Sequence, residues 1–551
     1  MNTAKHLFVI LALFLFATGL RAEKSAGART TASRTYTARI ASAPGKTLIV
    51  EKMQAEITIT GTASNEITAE AMIELSDLDT RTMEEFFSKL RFVLEPYREG
   101  FRLRLDLPTE TVRSRSYTGL QSLLREWFGM KVQDDISSAI VLRLTVPQQQ
   151  NLQIENAYGD MSVNSVTGEL RLENSSGEVQ IENCGGQLHL NNDYAAVAVR
   201  DFAGAVEVSN GSGEVLLSNI SGEAKVKSSY KTVTFENIGG ALTIDAQSSE
   251  IFGKNVRGDC AITTSYKAVE VARINGRLTV SAPSSTINVV DVRKEVLIES
   301  SYKPIRVDSV GGNLTLRGES SAVEARVIAG EAEITTSYHP VRVEQVGGGL
   351  RLDGNSCEIT VLEVQRDVTL VSSYKDIRVS KVGGNLDLDG NSSNVLVREV
   401  SGNVDIASSY KAIEVEQVRG ALRVVGESCS VSAKNIGGDV DITNSYKYVI
   451  VQGTSGSILV RGDSSPIEIF RVAKLPPGSR IDLLTSYKPV LIALPAAAEL
   501  RGTLASQYGK IRSDFPVQLT GDDTQNARIE IGSGNVGLRV ETSGDISLRK
   551  E

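Results

Sequence analysis

One tyrosine returns at a fixed interval through the middle of the chain, and that interval decides what the chain can fold into. Tyr158, Tyr194, Tyr230, Tyr266, Tyr302, Tyr338, Tyr374, Tyr410 and Tyr446 stand 36 residues apart. Halfway between them stand Ser176, Ser212, Ser248, Ser284, Ser320, Ser356, Ser392, Ser428 and Ser464. The unit is therefore 18 residues, with Tyr and Ser alternating at one position. A constant period of this length marks a repeat architecture.

A second marker keeps the same register. From 168 to 456, in steps of 18, 15 of 17 positions are Gly, and the exceptions are Lys294 and Arg366. A Gly at one place in every unit marks a backbone corner that needs positive φ or close approach. The two exceptions make this a preference rather than a requirement. Apolar residues follow the register too. They lie three, five and eight residues after the Tyr or Ser, as Ile305, Val307 and Val310 do, and again at twelve and fourteen, as Leu314 and Leu316 do. Spacings of two place side chains on one face of a strand. Each unit is thus two short strands and two turns, with the residue at offset eight pointing inward near the first corner.

One such coil cannot bury its own apolar face, so coils must stack. The expected fold is all-β: a single-stranded β-solenoid of 18-residue coils, with a small α-containing N-terminal insertion. Stacking sets like positions above one another, so Arg306, Glu324 and Arg342 alternate in sign on successive coils, a mildly favourable arrangement.

The period divides the chain. Residues 158–472 are the regular solenoid. Residues 23–157 are a strand-rich N-terminal region interrupted at about 76–135, where a helix is expected within 79–92 and a strand over Phe101–Leu107. Leu120, Leu123, Leu124, Trp127 and Phe128 follow helical spacing and predict a second helix. These elements are expected to cap the solenoid, because an uncovered edge strand invites aggregation. At the other end Tyr446 to Tyr487 is 41 residues, and Tyr508 follows after 21. Residues 473–551 are read as irregular coils and a second cap.

The first 22 residues read as a secretory signal peptide: Lys5 and His6, an apolar run from Leu7 to Leu20, then small residues with Ala22 before the cleavage point. The run is too short to span a bilayer comfortably, and no later stretch is long and apolar enough. The chain is expected to be exported, to the periplasm or the cell surface, without a transmembrane segment once mature.

Chemistry is sparsely signalled. The formal net charge is −8, from 59 basic and 67 acidic residues that are interspersed. Without a basic stripe, nucleic acid is not an expected partner. Cys357 and Cys429 share one coil position four coils apart, roughly 19 Å by coil spacing, beyond disulfide reach. Cys184 and Cys260 fall at inward positions, also about four coils apart, so four free thiols are expected. His189 stands alone in its coil, and His339 takes a place that Lys holds elsewhere. No metal-ligand cluster and no His-based catalytic dyad can be assembled from these residues. From 158 to 446 the period admits no insertion, so no loop is available to build a cleft. Hexapeptide-repeat acyltransferases are similar in coil length, but the apolar offsets here do not follow a six-residue period. No cofactor is expected, and the chain is not expected to be an enzyme.

The most distinctive surface feature is a Ser-Tyr-Lys corner. It comprises Tyr230 with Lys231, Tyr266 with Lys267, Tyr302 with Lys303, Tyr338, Tyr374 with Lys375, Tyr410 with Lys411, and Tyr446 with Lys447. Rings recurring on every second coil, roughly 9.5 Å apart, could stack sugar rings or contact a peptide, with Lys attracting anionic groups. The structural alternative is that each ring covers the Ser coil beside it while Lys keeps the edge soluble.

Several of these segments resemble a family of bacterial β-solenoid proteins labelled adhesins. The resemblance is carried by the leader, by GKTLIVEKMQAEITITG and by VLRLTVPQQQNLQIENAYGDMSVNSVTGELRL. It is also carried by the repeated S-Y-K and G-G-x-L-x-L motifs and by YGKIRSDFPV with GSGNVGLRVETSGDISL. It covers most of residues 36–551. It implies a β-solenoid, an envelope location and a non-catalytic binding role toward an envelope glycan or surface protein. It brings no catalytic residues. A periplasmic scaffold or spacer is the alternative role, and a carbohydrate-active β-helix enzyme a third.

Overall fold

The computed structural model describes residues 31–76, 80–106, 137–473, 475–520 and 525–551. It is an all-β solenoid of coils of about 18 residues, and its described residues contain one helix. The expected leader and the expected second helix at 120–128 lie outside the described residues. No described helix is long and apolar enough to cross a membrane. The chain divides into two compact units, one ending at Lys267 and one beginning at Ala268.

In the second unit, Ile305–Val310 and Leu314–Glu319 are the two strands of one coil, and Val323–Ile328 and Ala332–Ser337 those of the next. Like strands pair in parallel with an offset of one coil: Ile305 opposes Val323, Val307 opposes Ala325, and Leu314 opposes Ala332. Ile305, Val307, Val310, Leu314 and Leu316 are buried, while Arg306 and Arg317 face out. The apolar offsets are therefore inward positions, and a one-residue slip would turn them all to solvent.

Offset eight is inward because offset seven is a kink. Ser309, Val327, Gln345, Glu363 and Lys381 hold this place with φ of 54–63°. Pairing passes over them: Asp308 opposes Arg326, and the next pair is Val310 with Ile328. A single left-handed residue bends the strand and returns the next side chain to the core.

The glycine column answers the other half of its expectation. Positive φ falls on the offset-seven and Tyr/Ser positions, and of the column glycines only Gly186 and Gly204 share it among the described residues. What Gly312 needs is room, since a Cβ there would lie 2.7 Å from the carbonyl carbon of Lys294 in the coil before.

In the first unit the N-terminal strands are β1 (Thr31–Ala41), β2 (Thr47–Met53), β3 (Glu56–Thr62) and β4 (Glu66–Ser76). Then come α1 (Thr80–Lys89), β5 (Arg91–Tyr97), β6 (Gly100–Asp106), β7 (Ser137–Pro147), β8 (Asn151–Asn156) and β9 (Met161–Asn164). β2 and β3 form a coil that pairs in parallel with β8 and β9. On its far side, β3 pairs in parallel with β7, and β4 pairs antiparallel with β7 and with β1. α1 buries Met83, Phe86 and Phe87, and the Tyr36 hydroxyl donates to the Phe87 carbonyl at 3.0 Å. Strand direction thus changes, and a helix packs beside β1, where the stack begins.

The far end of the second unit departs from chain order. The strand Arg480–Thr485 pairs in parallel with Val536–Thr542, which pairs in parallel with Leu500–Ser506 on its other side. Val490–Leu494, Ile546–Lys550 and Ile511–Ser513 repeat this arrangement on the other face. The last coil of the chain is therefore inserted between the two coils that precede it. Asn526–Glu530 then covers Leu500–Ser506 in antiparallel fashion.

Candidate functional site

The Tyr corner and the Ser corner are different turns. In the second unit the Lys303 N–H donates to the Ser301 carbonyl at 2.8 Å, closing a three-residue γ-turn around Tyr302 at φ 61°. The same bond at 2.8 Å spans Tyr338, Tyr374, Tyr410 and Tyr446. A γ-turn with positive central φ is rare and strained. The Ser corners instead close four-residue turns: Ser321 N–H to Gly318 O at 3.2 Å, Cys357 to Gly354 at 3.0 Å and Ser393 to Gly390 at 2.9 Å.

Buried hydroxyls bind each Tyr coil to the Ser coil before it. Ser300 donates to Ala282 O, Ser372 to Gly354 O and Ser408 to Gly390 O, each at 2.6 Å. Thr336 Oγ1 reaches Ser321 O at 2.7 Å, and the amide of Asn444 reaches Cys429 O at 2.7 Å. Where the Tyr coil carries this hydroxyl or amide, the Ser coil carries a small residue, Ala282, Gly318, Gly354, Gly390 or Gly426. A Cβ at Gly354 would meet Ile359 Cδ1 and Leu352 Cδ2 at 2.9 Å. This pairing is why the sequence repeats every 36 residues although the backbone repeats every 18. The R-G-E-S and D-G-N-S motifs carried that signal in the sequence.

The tyrosines of these corners are largely exposed. Tyr302, Tyr338, Tyr374, Tyr410 and Tyr446 are 62–67% exposed. Lys303, Lys375, Lys411 and Lys447 are exposed beside them, and none is in an ion pair among the described residues. In the first unit Tyr230 and Tyr266 have φ of 67° and 64° and are equally exposed, next to Lys231 and Lys267. Tyr158 and Tyr194 are not at positive φ, and their coils carry the inward asparagines Asn156, Asn174, Asn192 and Asn210 instead of the Ser and Gly pair.

The strand leading into these corners shapes a trough. In the second unit an open concavity of about 820 Å³ runs across successive coils, with Arg317, Glu319, Asp353, Asn355, Asp389 and Asn391 among its lining. Ser337 and Ser373 also line it and are followed directly in the chain by Tyr338 and Tyr374. The Asn355 carboxamide oxygen accepts from Ser373 Oγ at 3.0 Å, and that of Asn391 accepts from Ser409 Oγ at 2.5 Å. Both carboxamides belong to the lining of the trough. Sequence reasoning missed these polar residues, because each looks like an ordinary solvated strand position until the coils are stacked.

Elsewhere the surface is mixed. Arg306 Nε lies 3.3 Å from Glu324 on the next coil, while Arg342 pairs with Glu344 along its own strand. His189 Nδ1 lies 3.2 Å from Glu207 Oε2, one coil on. The four cysteines are free and buried. Burial pushes the Cys260 thiol up to about 12 and that of Cys357 up to about 11, values that disfavour thiolate reactivity. No group of three or more His, Cys, Asp or Glu among the described residues could hold a metal ion.

Compared with family models, curated proteins and solved structures, the chain matches none.

Proposed function

We propose that this chain is an exported, adhesin-like β-solenoid of the bacterial cell envelope, a non-catalytic binding protein that contacts an envelope glycan or surface protein through its tyrosine corners. The observation that carries the reading is the cost of placing tyrosine there. Residues at sparsely populated φ cost about 1–3 kcal/mol each, and Asn, Asp or Gly hold positive φ more readily than an aromatic residue. Yet Tyr302, Tyr338, Tyr374, Tyr410 and Tyr446 hold it one after another, exposed. Neither the backbone nor the core gains from the ring, whereas a ligand would. Amphipathic aromatic rings with a hydroxyl are the side chains that binding surfaces favour.

The test is capture of envelope fractions by the mature protein. Replacement of Tyr302, Tyr338 and Tyr374 with Ser, the residue of the alternate coils, should abolish capture without loss of folding. Retained capture would remove the corners from the binding surface.

A second reading, a periplasmic spacer, is favoured by charge pairs running from coil to coil, such as Arg306–Glu324 and Arg423–Asp405. It requires the protein to fractionate with the periplasm, and recovery solely from the outer surface would exclude it.

A further inference from the structure

We propose that the trough beside Tyr338, Tyr374 and Tyr410 binds an uncharged, extended β-1,4-linked polysaccharide, laid along the stacking direction with one disaccharide for every two coils. The inference rests on the binding role proposed above and names the ligand class.

Period selects the ligand. Tyrosine rings recur on every second coil, roughly 9.5 Å apart. Two of the trough's Ser coils repeat their polar groups at the same interval, while the third carries Arg317 and Glu319. Asp353 and Asn355 lie on one Ser coil, and Asp389 and Asn391 repeat them 36 residues on. Each such coil offers a carboxylate acceptor and, two residues along, an amide donor whose orientation is set by Ser373 or Ser409. The binding face is thus a doublet: one aromatic ring, one acceptor and one donor per two coils. A ligand matching it must repeat with that period.

An extended β-1,4-linked hexose chain does so. Successive rings are turned over, so the same edge and the same C–H face return only at every second sugar, after about the distance of two coils, roughly 9.5 Å. The C–H face stacks on a tyrosine ring, while vicinal hydroxyls both donate to a carboxylate and accept from an amide. An α-1,4-linked chain curves away and cannot keep register over three tyrosines.

A peptide fits less well. Backbone groups on these strands are consumed by coil-to-coil pairing, for example Leu352 with Leu370 and Leu370 with Leu388. An extended peptide would find no ladder to join. The trough's charges also select against polyanions. Glu299, Glu319, Asp353 and Asp389 face it with Arg317 as the cation among its lining residues.

The experiment is calorimetric titration of the full mature chain with cellohexaose, chitohexaose, maltohexaose and cellobiose. Binding of cellohexaose or chitohexaose, roughly tenfold or more tighter than cellobiose because several tyrosines are engaged at once, is expected. D353A/D389A and Y374S variants should each lose roughly tenfold in affinity with an unchanged thermal midpoint, and Y374F should retain binding. Equal binding of maltohexaose, or full affinity in D353A/D389A, would overturn the proposal. So would the absence of any oligosaccharide binding. If envelope capture then persists, the ligand class is wrong and the binding role stands. If capture is also absent, both fall.

Discussion

The hydroxyl of Ser372 donates to the carbonyl of Gly354, its neighbour one coil earlier, at 2.6 Å, and also reaches the Cys357 carbonyl at 3.2 Å. Ser372 is buried, and the Gly354 carbonyl also accepts the Cys357 N–H at 3.0 Å. Ser372→Ala should therefore destabilise the protein by about 1–2 kcal/mol. Ser372→Thr should be nearly neutral, because Thr336 holds the equivalent place. Urea unfolding with an unchanged slope would check both, and a neutral alanine variant would contradict the role given to the hydroxyl.

Val327 should be a site of easy gain. It is β-branched, has φ of 54° and is 46% exposed. Its column is held elsewhere by Asn237, Asn255 and Asn435, whose φ values are similar. Val327→Asn should stabilise the chain by about 1 kcal/mol by removing left-handed strain. The thermal midpoint should rise, and a fall would mean that the valine contributes packing not evident from its exposure.

Cys260 should make the protein sensitive to alkali. Burial raises its pKa from the ordinary 9.0 to about 12, so the folded state holds the thiol neutral. The unfolded thiol ionises first, so the stability held below about pH 9 is lost as pH climbs toward about 12. A Cys260→Ala variant should show a shallower decline over that window. In native protein at pH 8 the thiol should resist a disulfide reagent and react only after unfolding. Rapid native labelling would contradict the burial.

The C-terminal coil should act as a keystone for its unit. Truncation after Ser533 removes Val536–Thr542 and Ile546–Lys550 from between two coils and leaves both without a partner on that side. Amide exchange over 480–494 should then rise roughly tenfold or more. Unchanged exchange there would mean that the two flanking coils close directly on each other.

The solenoid was legible because its signal is periodic. Ile305, Val307, Val310, Leu314 and Leu316 take inward places that their spacing alone predicts. Positions defined by conformation were harder to read. The glycine column pointed to positive φ or close approach and marks close approach, while the left-handed conformation belongs to Tyr302 and Ser309, residue types that do not announce it. The swapped order of the last two coils left no trace either, since parallel pairing with either neighbour demands the same alternation. The trough escaped notice for a related reason. Asp353 and Asp389 come to line the same trough only once 36 residues of chain have wound twice around the core.

The bond from Ser372 to Gly354 also bears on how such a chain can change length. A gene that gains or loses 36 codons within this region keeps each such hydroxyl opposite a small residue, glycine or alanine. A change of 18 codons sets two hydroxyl-bearing coils, or two glycine-bearing coils, against each other, with either a clash or a void between them. Growth by recombination is therefore quantised in doublets.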